Sequence, residues 1–283
     1  MGAECSASNC GCDAGSPHGA VSVKSLSSKA PVPYGPAGSP VAGLDGCALD
    51  MGDGVTASYE GSWRQEQKHG EGRLVFSDGS KYEGQFRSDR KHGRGKYTYA
   101  NGSSYEGQWS LDVQEGEGVE RLADGSLYEG CFLAGDKSGR GRFSWGTGHS
   151  YEGEFDANAM HGEGTYRWSN GRSYTGQWQR NHVGPRGEMR WPDGRRYEGE
   201  FLDGKKHGEG RLSWPDGRSY AGQWESNRQH GQGTAVTAKG LSRVSLWEHG
   251  TFVRWLEDNP EVTGPQEQPG HFAAQYPNDP GQW

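Results

Sequence analysis

The tripeptide Tyr-x-Gly returns every 23 residues along this chain, at Tyr59, Tyr82, Tyr105, Tyr128, Tyr151, Tyr174, Tyr197 and Tyr220. A fixed period of this length marks a repeat array, in which each unit buries surface only against its neighbours. An aromatic follows each glycine by two residues, at Trp63, Phe86, Trp109, Phe132, Phe155, Trp178, Phe201 and Trp224. A ninth copy keeps only Trp247, with Arg243 and Ser245 where Tyr and Gly are expected, and reads as a terminal cap.

Within one period, Lys81-Tyr-Glu-Gly-Gln-Phe86 alternates in the manner of a strand, with Tyr82, Gly84 and Phe86 on one face and Glu83 and Gln85 on the other. Arg87 to Gly93, carrying His92-Gly93, reads as a polar link, and Lys96 to Tyr99 alternates again as a second strand. Asn101-Gly102 closes the unit, and in-phase pairs such as Asp78-Gly79 and Asp193-Gly194 read as two-residue turns with positive φ. Each glycine held between two aromatics predicts a cross-strand ring that covers the bare backbone. The expected fold is therefore all-β: an elongated single-layer antiparallel sheet of about eight 23-residue β-hairpin repeats, with the degenerate ninth as cap. At ~4.8 Å per strand such a sheet would run to roughly 75 Å.

Composition agrees with a thin array. Only 30% of residues are hydrophobic and mean hydropathy is -1.00, with 49 glycines; that leaves too few Leu, Ile and Val for a thick two-layer core. Net charge is -7, but the acidic excess lies at the ends and 51–255 is neutral. A nucleic-acid partner is not expected, because no basic excess is present to meet phosphates. The five cysteines are an odd set that implies no disulfide framework and fits a reducing compartment. Three segments follow: 1–50 as a disordered acylation and spacer segment, 55–255 as the array, and 256–283 as a disordered acidic tail. The stretch Phe252 to Leu256 is expected to cover the last open strand.

The order Tyr-Glu-Gly-x-Phe/Trp, then His-Gly-x-Gly, then Asp-Gly, as in Tyr82 to Phe86, His92 to Gly95 and Asp78-Gly79, resembles the MORN (membrane occupation and recognition nexus) repeat family over about 55–255. That resemblance implies a meandering antiparallel sheet that binds proteins or lipids and no catalytic centre, in a family that includes membrane-junction proteins, radial spoke heads and cytoskeletal scaffolds. Departures are local: Glu115 and Ser138 replace the link histidine, and Gly184-Pro185 replaces His-Gly. Those links are expected to be shaped differently. With about 50 residues before the array and about 28 after it, no kinase or methyltransferase domain fits, so the chain is read as no enzyme, with no cofactor.

Candidate sites follow from these columns. Met-Gly-Ala-Glu-Cys-Ser matches the acceptor pattern for N-myristoylation at Gly2, and Cys5, Cys10 and Cys12 are candidates for the palmitate that a single myristoyl chain needs as a second anchor. The aromatic face, with Trp109, Trp178, Phe201 and Trp224 in one column and Trp168, Trp191 and Trp214 in the second-strand column, is the candidate surface for a protein partner, either an amphipathic helix or an extended peptide. The second-strand rings are also the expected covers of the glycines. Arg195, Arg196, Lys205 and Lys206 are the dense basic candidates for a phosphoinositide headgroup, and a homodimer is also allowed. The column His69, His92, His161, His207 and His230 reads as turn residues capping local backbone. Successive units are roughly 9–10 Å apart, too far for two of these histidines to share a metal, and no metal site is expected. The recurring glutamates, such as Glu83 and Glu106, should face solvent, paired with cross-strand Arg and Lys. The sum is a scaffold held peripherally at a cytosolic membrane face, with a cytoskeletal or flagellar component as the alternative.

Overall fold

The computed structural model describes the backbone of 47–50 and residues 56–256. Gly2, Cys5, Cys10 and Cys12, most of the spacer and the acidic tail lie outside the described residues. Every regular element among the described residues is a β-strand, and the chain divides into two compact units, Met1–Gly141 and Arg142–Trp283.

The first unit is an antiparallel meander of β1 (Cys47–Asp50), β2 (Thr56–Arg64), β3 (Gln67–Phe76), β4 (Lys81–Arg87), β5 (Arg90–Thr98), β6 (Ser104–Ser110), β7 (Val113–Arg121), β8 (Leu127–Leu133) and β9 (Asp136–Ser144), the last crossing the boundary. The second continues the pattern with β10 (Ser150–Asp156), β11 (Ala159–Arg167), β12 (Ser173–Gln179), β13 (His182–Arg190), β14 (Arg196–Leu202), β15 (Lys205–Ser213), β16 (Ser219–Glu225), β17 (Arg228–Val236), β18 (Ser242–Glu248) and β19 (Thr251–Trp255). Eight hairpins, β2–β3 through β16–β17, carry the 23-residue period, and β18–β19 is the ninth, degenerate one. Phe252 to Leu256 does not fold over β18: Thr251 to Trp255 pairs beside it as a further strand.

Two details of the hairpin differ from the sequence reading. The two-residue turn with positive φ at both positions is Ser88-Asp89 (48° and 69°), repeated at Ala157-Asn158 and Ser226-Asn227, and it joins the two strands of one unit. At the Asx-Gly loops only the glycine goes left-handed. Gly102 has φ 85°, its N–H donates to Tyr99 O at 3.0 Å, and Asn101 Oδ1 accepts from Ser103 N at 2.9 Å. That is the longer hairpin loop, closed by a glycine in the left-handed region.

His92-Gly93 is likewise no link. It lies inside β5, where the register with β4 passes from Phe86↔Lys91 to Gly84↔Gly95 across a bulge. Gly93 takes φ 64° there, a left-handed conformation that favours glycine, and a Cβ on it would push aside the Gln85 amide, whose Oε1 would stand 1.9 Å away. Gly116 and Gly139 keep the same left-handed bulge behind Glu115 and Ser138, so those two units are not reshaped by loss of histidine. The sixth is reshaped. Pro185 stands at the left-handed position, which its ring cannot adopt, and the neighbouring Gly184 instead comes close to Gln177: a Cβ there would meet its backbone at 2.7 Å.

Cys131 is buried in β8.

Candidate functional site: the aromatic face

The eight column tyrosines are 0–2% exposed. Each ring lies flat over glycines that face each other across the hairpin. A Cβ on Gly95 would stand 2.2–2.6 Å from the Tyr82 ring, and one on Gly84 would stand 2.4 Å from Gly95 Cα. The cover is therefore the first-strand tyrosine, not the second-strand aromatic. The Tyr82 hydroxyl reaches past the bare backbone to donate to Gln85 O at 2.9 Å, and Tyr105 and Tyr151 make the same bond.

Phe86, Trp109, Phe132, Trp178, Phe201 and Trp224 each stand edge-on between two tyrosines. Phe86 lies 5.0 Å from Tyr82 and 5.2 Å from Tyr59; Trp178 lies 5.3 Å from Tyr174 and 5.4 Å from Tyr151, all near 85°. Each such pair adds about 0.5–1.5 kcal/mol beyond area burial. Three of the tryptophans also donate their indole N–H to a glycine carbonyl of the preceding unit, Trp109 to Gly95 O at 3.0 Å, Trp178 to Gly164 O at 3.2 Å and Trp224 to Gly210 O at 2.9 Å. Trp109, Trp178, Phe201 and Trp224 are consequently only 4–6% exposed and form the core. The second-strand column is more open: Trp145, Trp168 and Trp191 are half-buried and Tyr99 is exposed, while Trp214 is buried.

A row of cations that sequence reasoning did not single out completes the face. Lys91 enters from the turn and places Nζ 4.7 Å from both the Tyr97 and Trp109 ring centroids. Burial lowers its ammonium below the usual lysine range, with Asp112 opposing. Lys68, Lys137 and Lys206 occupy the same repeat position, over Tyr59, Tyr128 and Tyr197. The signal was present, since Lys or an uncharged residue precedes the histidine position in every unit, but solvent-exposed chemistry is the ordinary reading of lysine.

The four basic candidates do not form one patch. Lys206 lies among Trp191, Tyr197 and Trp224 on the aromatic face, Lys205 is exposed, and Arg195 pairs with Asp193 at 2.7 Å and covers Trp191. Arg196 is held by Glu188 at 2.7 Å and Glu198 at 2.8 Å on the opposite face. The glutamate column does make the expected cross-strand pairs, Arg73 to Glu83 at 3.2 Å and Lys96 to Glu106 at 3.3 Å. His92 and His161 do not cap backbone as expected, since Nδ1 of each is buried without a hydrogen-bond partner, whereas His230 Nδ1 accepts from the backbone N–H of His249 at 3.4 Å.

Turns from adjacent units are clasped together. Asp112 N donates to Lys91 O at 2.9 Å while Asp112 Oδ1 accepts from Lys91 N at 2.9 Å, and Asp89 with Lys68 and Asn227 with Lys206 repeat the exchange.

The family profile described as MORN repeat matches residues 59–81, 82–104, 105–127, 128–150, 151–171, 197–217 and 220–242, more than half of the chain. The chain belongs to the MORN repeat family. The stretch between the fifth and sixth matches holds the MORN unit that Pro185 reshapes. Among curated proteins no relative matches. Among solved structures, the wild-type TCP10 domain of Danio rerio CPAP is 13% identical with a TM-score of 0.41, covering 71% of this chain and 95% of its own. The SAS-4 (dCPAP) TCP domain of Drosophila melanogaster, solved with a proline-rich motif of Ana2 (dSTIL), is 13% identical with a TM-score of 0.36, covering 62% and 88%. TM-scores of this size carry no argument for the MORN array.

Proposed function

We propose that this MORN-repeat chain is a non-enzymatic scaffold that holds an amphipathic helix or extended peptide of a protein partner on its aromatic face. The observation that supports this is the half-open second-strand column of the second unit, where an indole and a guanidinium recur together once per repeat. Arg172 stands 4.9 Å over Trp168, Arg195 5.1 Å over Trp191, and Arg218 5.6 Å over Trp214. The half-open indole surface of Trp168 and Trp191, edged by guanidinium groups of which Arg195 is anchored on Asp193, suits a segment that alternates apolar and polar side chains. The buried column beneath it, with Trp178 and Trp224, supplies rigidity and the partner does not touch it.

The scaffold sits at a cytosolic membrane face through acyl groups on Gly2 and on Cys5, Cys10 and Cys12, a proposal whose support is the sequence pattern alone. Both parts have one test. Full-length protein, a Trp168→Ala/Trp191→Ala double variant, Gly2→Ala and a Cys5/Cys10/Cys12→Ser variant are fractionated on membranes, and co-purifying proteins are compared. Loss of partners in the double variant with unchanged circular dichroism, and loss of membrane association in the other two, are the expected results. Identical partners across all forms overturn the docking surface. Membrane retention by all forms moves the reading to headgroup binding by the repeats, and solubility of all forms moves it to a cytoskeletal or free adaptor.

A further inference from the structure

The last full repeat carries a side-chain cluster that the others lack. Glu225 ends β16, His230 lies at the bulge of β17, and His249 opens the turn between β18 and β19. Glu225 Oε2 is 3.2 Å from His249 Nδ1 and 3.6 Å from His230 Nδ1, and one ligand atom from each residue lies within 4.8 Å of the others. The two imidazoles face each other with centroids 5.0 Å apart. Zinc holds nitrogen and oxygen ligands at about 2.0–2.2 Å, which sets tetrahedral neighbours about 3.3–3.5 Å from one another. The separations of 3.2 Å and 3.6 Å straddle that value.

The hydrogen-bonding pattern points the same way. The backbone N–H of His249 donates to His230 Nδ1 at 3.4 Å, a long bond that keeps this nitrogen unprotonated and that an ion at the same lone pair would displace. Glu225 Oε2 is shielded from solvent and accepts no hydrogen bond. An acceptor oxygen left without a hydrogen bond beside two imidazole nitrogens is an arrangement that a Lewis acid resolves.

We propose that Glu225, His230 and His249 form a site for Zn²⁺ or a similar borderline transition-metal ion, with three protein ligands and a fourth position open to water or a ligand from outside. Imidazole with one carboxylate suits Zn²⁺, Co²⁺ or Ni²⁺ and is a poor set for Mg²⁺ or Ca²⁺, which take oxygen ligands. The bound ion ties the final hairpin, β18–β19, to the last full repeat, so the site acts as a clasp on the cap. The chain supplies its own controls at the same repeat positions: Leu202, His207 and Ser226 in the preceding unit, and Arg87, His92 and Leu111 further back. Each has the column histidine without its two partners. Two of the ligands stand outside the histidine column, which is why the column's spacing gave no hint of them.

The test is titration of the full chain with Zn²⁺ by calorimetry and with Co²⁺ by visible absorption. The comparison is wild type against Glu225→Gln, His230→Gln, His249→Asn and the control His207→Gln. His249 is exposed with φ 47°, a conformation asparagine accepts, so His249→Asn keeps the fold while removing the ligand. The expected result is one ion per chain, a tetrahedral Co²⁺ spectrum without thiolate charge transfer, affinity that falls on acidification as protons compete, and a loss of 10–100-fold or more in each of the three ligand variants but not in His207→Gln. Absence of binding in the wild type, or affinity unchanged in His249→Asn, overturns the site. A spectrum with thiolate charge transfer that survives all three substitutions assigns the ion to the cysteines and also overturns it.

Discussion

Raising the pH should dissolve this sheet from its aromatic core outward. Burial raises the phenol pKa at seven column tyrosines, Tyr59 to about 12 and Tyr82, Tyr105, Tyr151, Tyr174, Tyr197 and Tyr220 higher still. A folded pKa above the unfolded value of about 10 means that the native state holds protons the unfolded chain has released. The stabilisation is thus complete below pH ~10 and is lost as pH rises toward the folded values. Each such tyrosine withdraws about 1.4 kcal/mol per pH unit above 10, and seven together withdraw on the order of 10 kcal/mol, or about half that where water reaches the hydroxyl edge. Either figure rivals the whole stability of an ordinary domain, about 5–15 kcal/mol. The assay is a paired titration, far-ultraviolet circular dichroism for the sheet and phenolate absorption for the tyrosines. Loss of sheet signal should be steep, should fall within roughly one to two pH units above 10, and should coincide with a cooperative rise in phenolate. Phenolate appearing at the ordinary tyrosine midpoint with the sheet intact would refute the claim that these rings are sealed by the glycine backbone.

Gly95→Ala forces a methyl group into the Tyr82 ring and should cost about 3 kcal/mol or more in urea unfolding, whereas Gly102→Ala, with φ 85° and nothing within 4 Å, should cost only about 1 kcal/mol. Trp178→Ala opens a core cavity and frees the carbonyl of Gly164, so a loss of about 3–5 kcal/mol with broad loss of sheet structure is expected, in contrast to the intact fold of Trp168→Ala/Trp191→Ala. Asp112→Ala removes the acceptor of the Lys91 N–H and should lower stability by about 1–2 kcal/mol, read as a fall in the urea midpoint at constant slope.

The period, the first strand of every unit and the capping role of Trp247 were legible because Tyr, Gly and Phe/Trp alternate there without interruption. The second strand was half legible. Arg90 to Gly95 hides a bulge, which adds residues to one strand and breaks the two-residue phase that a sequence reading follows. Positive φ at Ser88-Asp89 was missed because serine, leucine or alanine fills the first position of that turn in several units, and the more conspicuous Asn101-Gly102 drew the assignment. Which aromatic column lies inside was not legible either. Trp178 and Trp168 are chemically alike, and only the edge-to-face placement of Trp178 between two tyrosines separates core from surface. Of the basic residues named as one group, Lys206 and Arg196 proved to lie on opposite faces, because Arg196 alternates with Tyr197 along β14 whereas Lys206 pairs with Phe201 across the turn.

The turn clasp has a genetic consequence. Asp112 reaches back to Lys91, and Asn227 to Lys206, across the same 21 residues, the edge-to-face contacts of Tyr82 with Trp109 and Tyr197 with Trp224 both span 27, and the two kinds of contact recur with the repeat. A duplication or deletion of one whole unit of coding sequence therefore rejoins an Asp or Asn to a waiting backbone amide and leaves each tyrosine a partner ring. A change of any other length strands both at the junction. Selection acting on such a gene can count its repeats up or down, but it has little freedom to edit inside the joint.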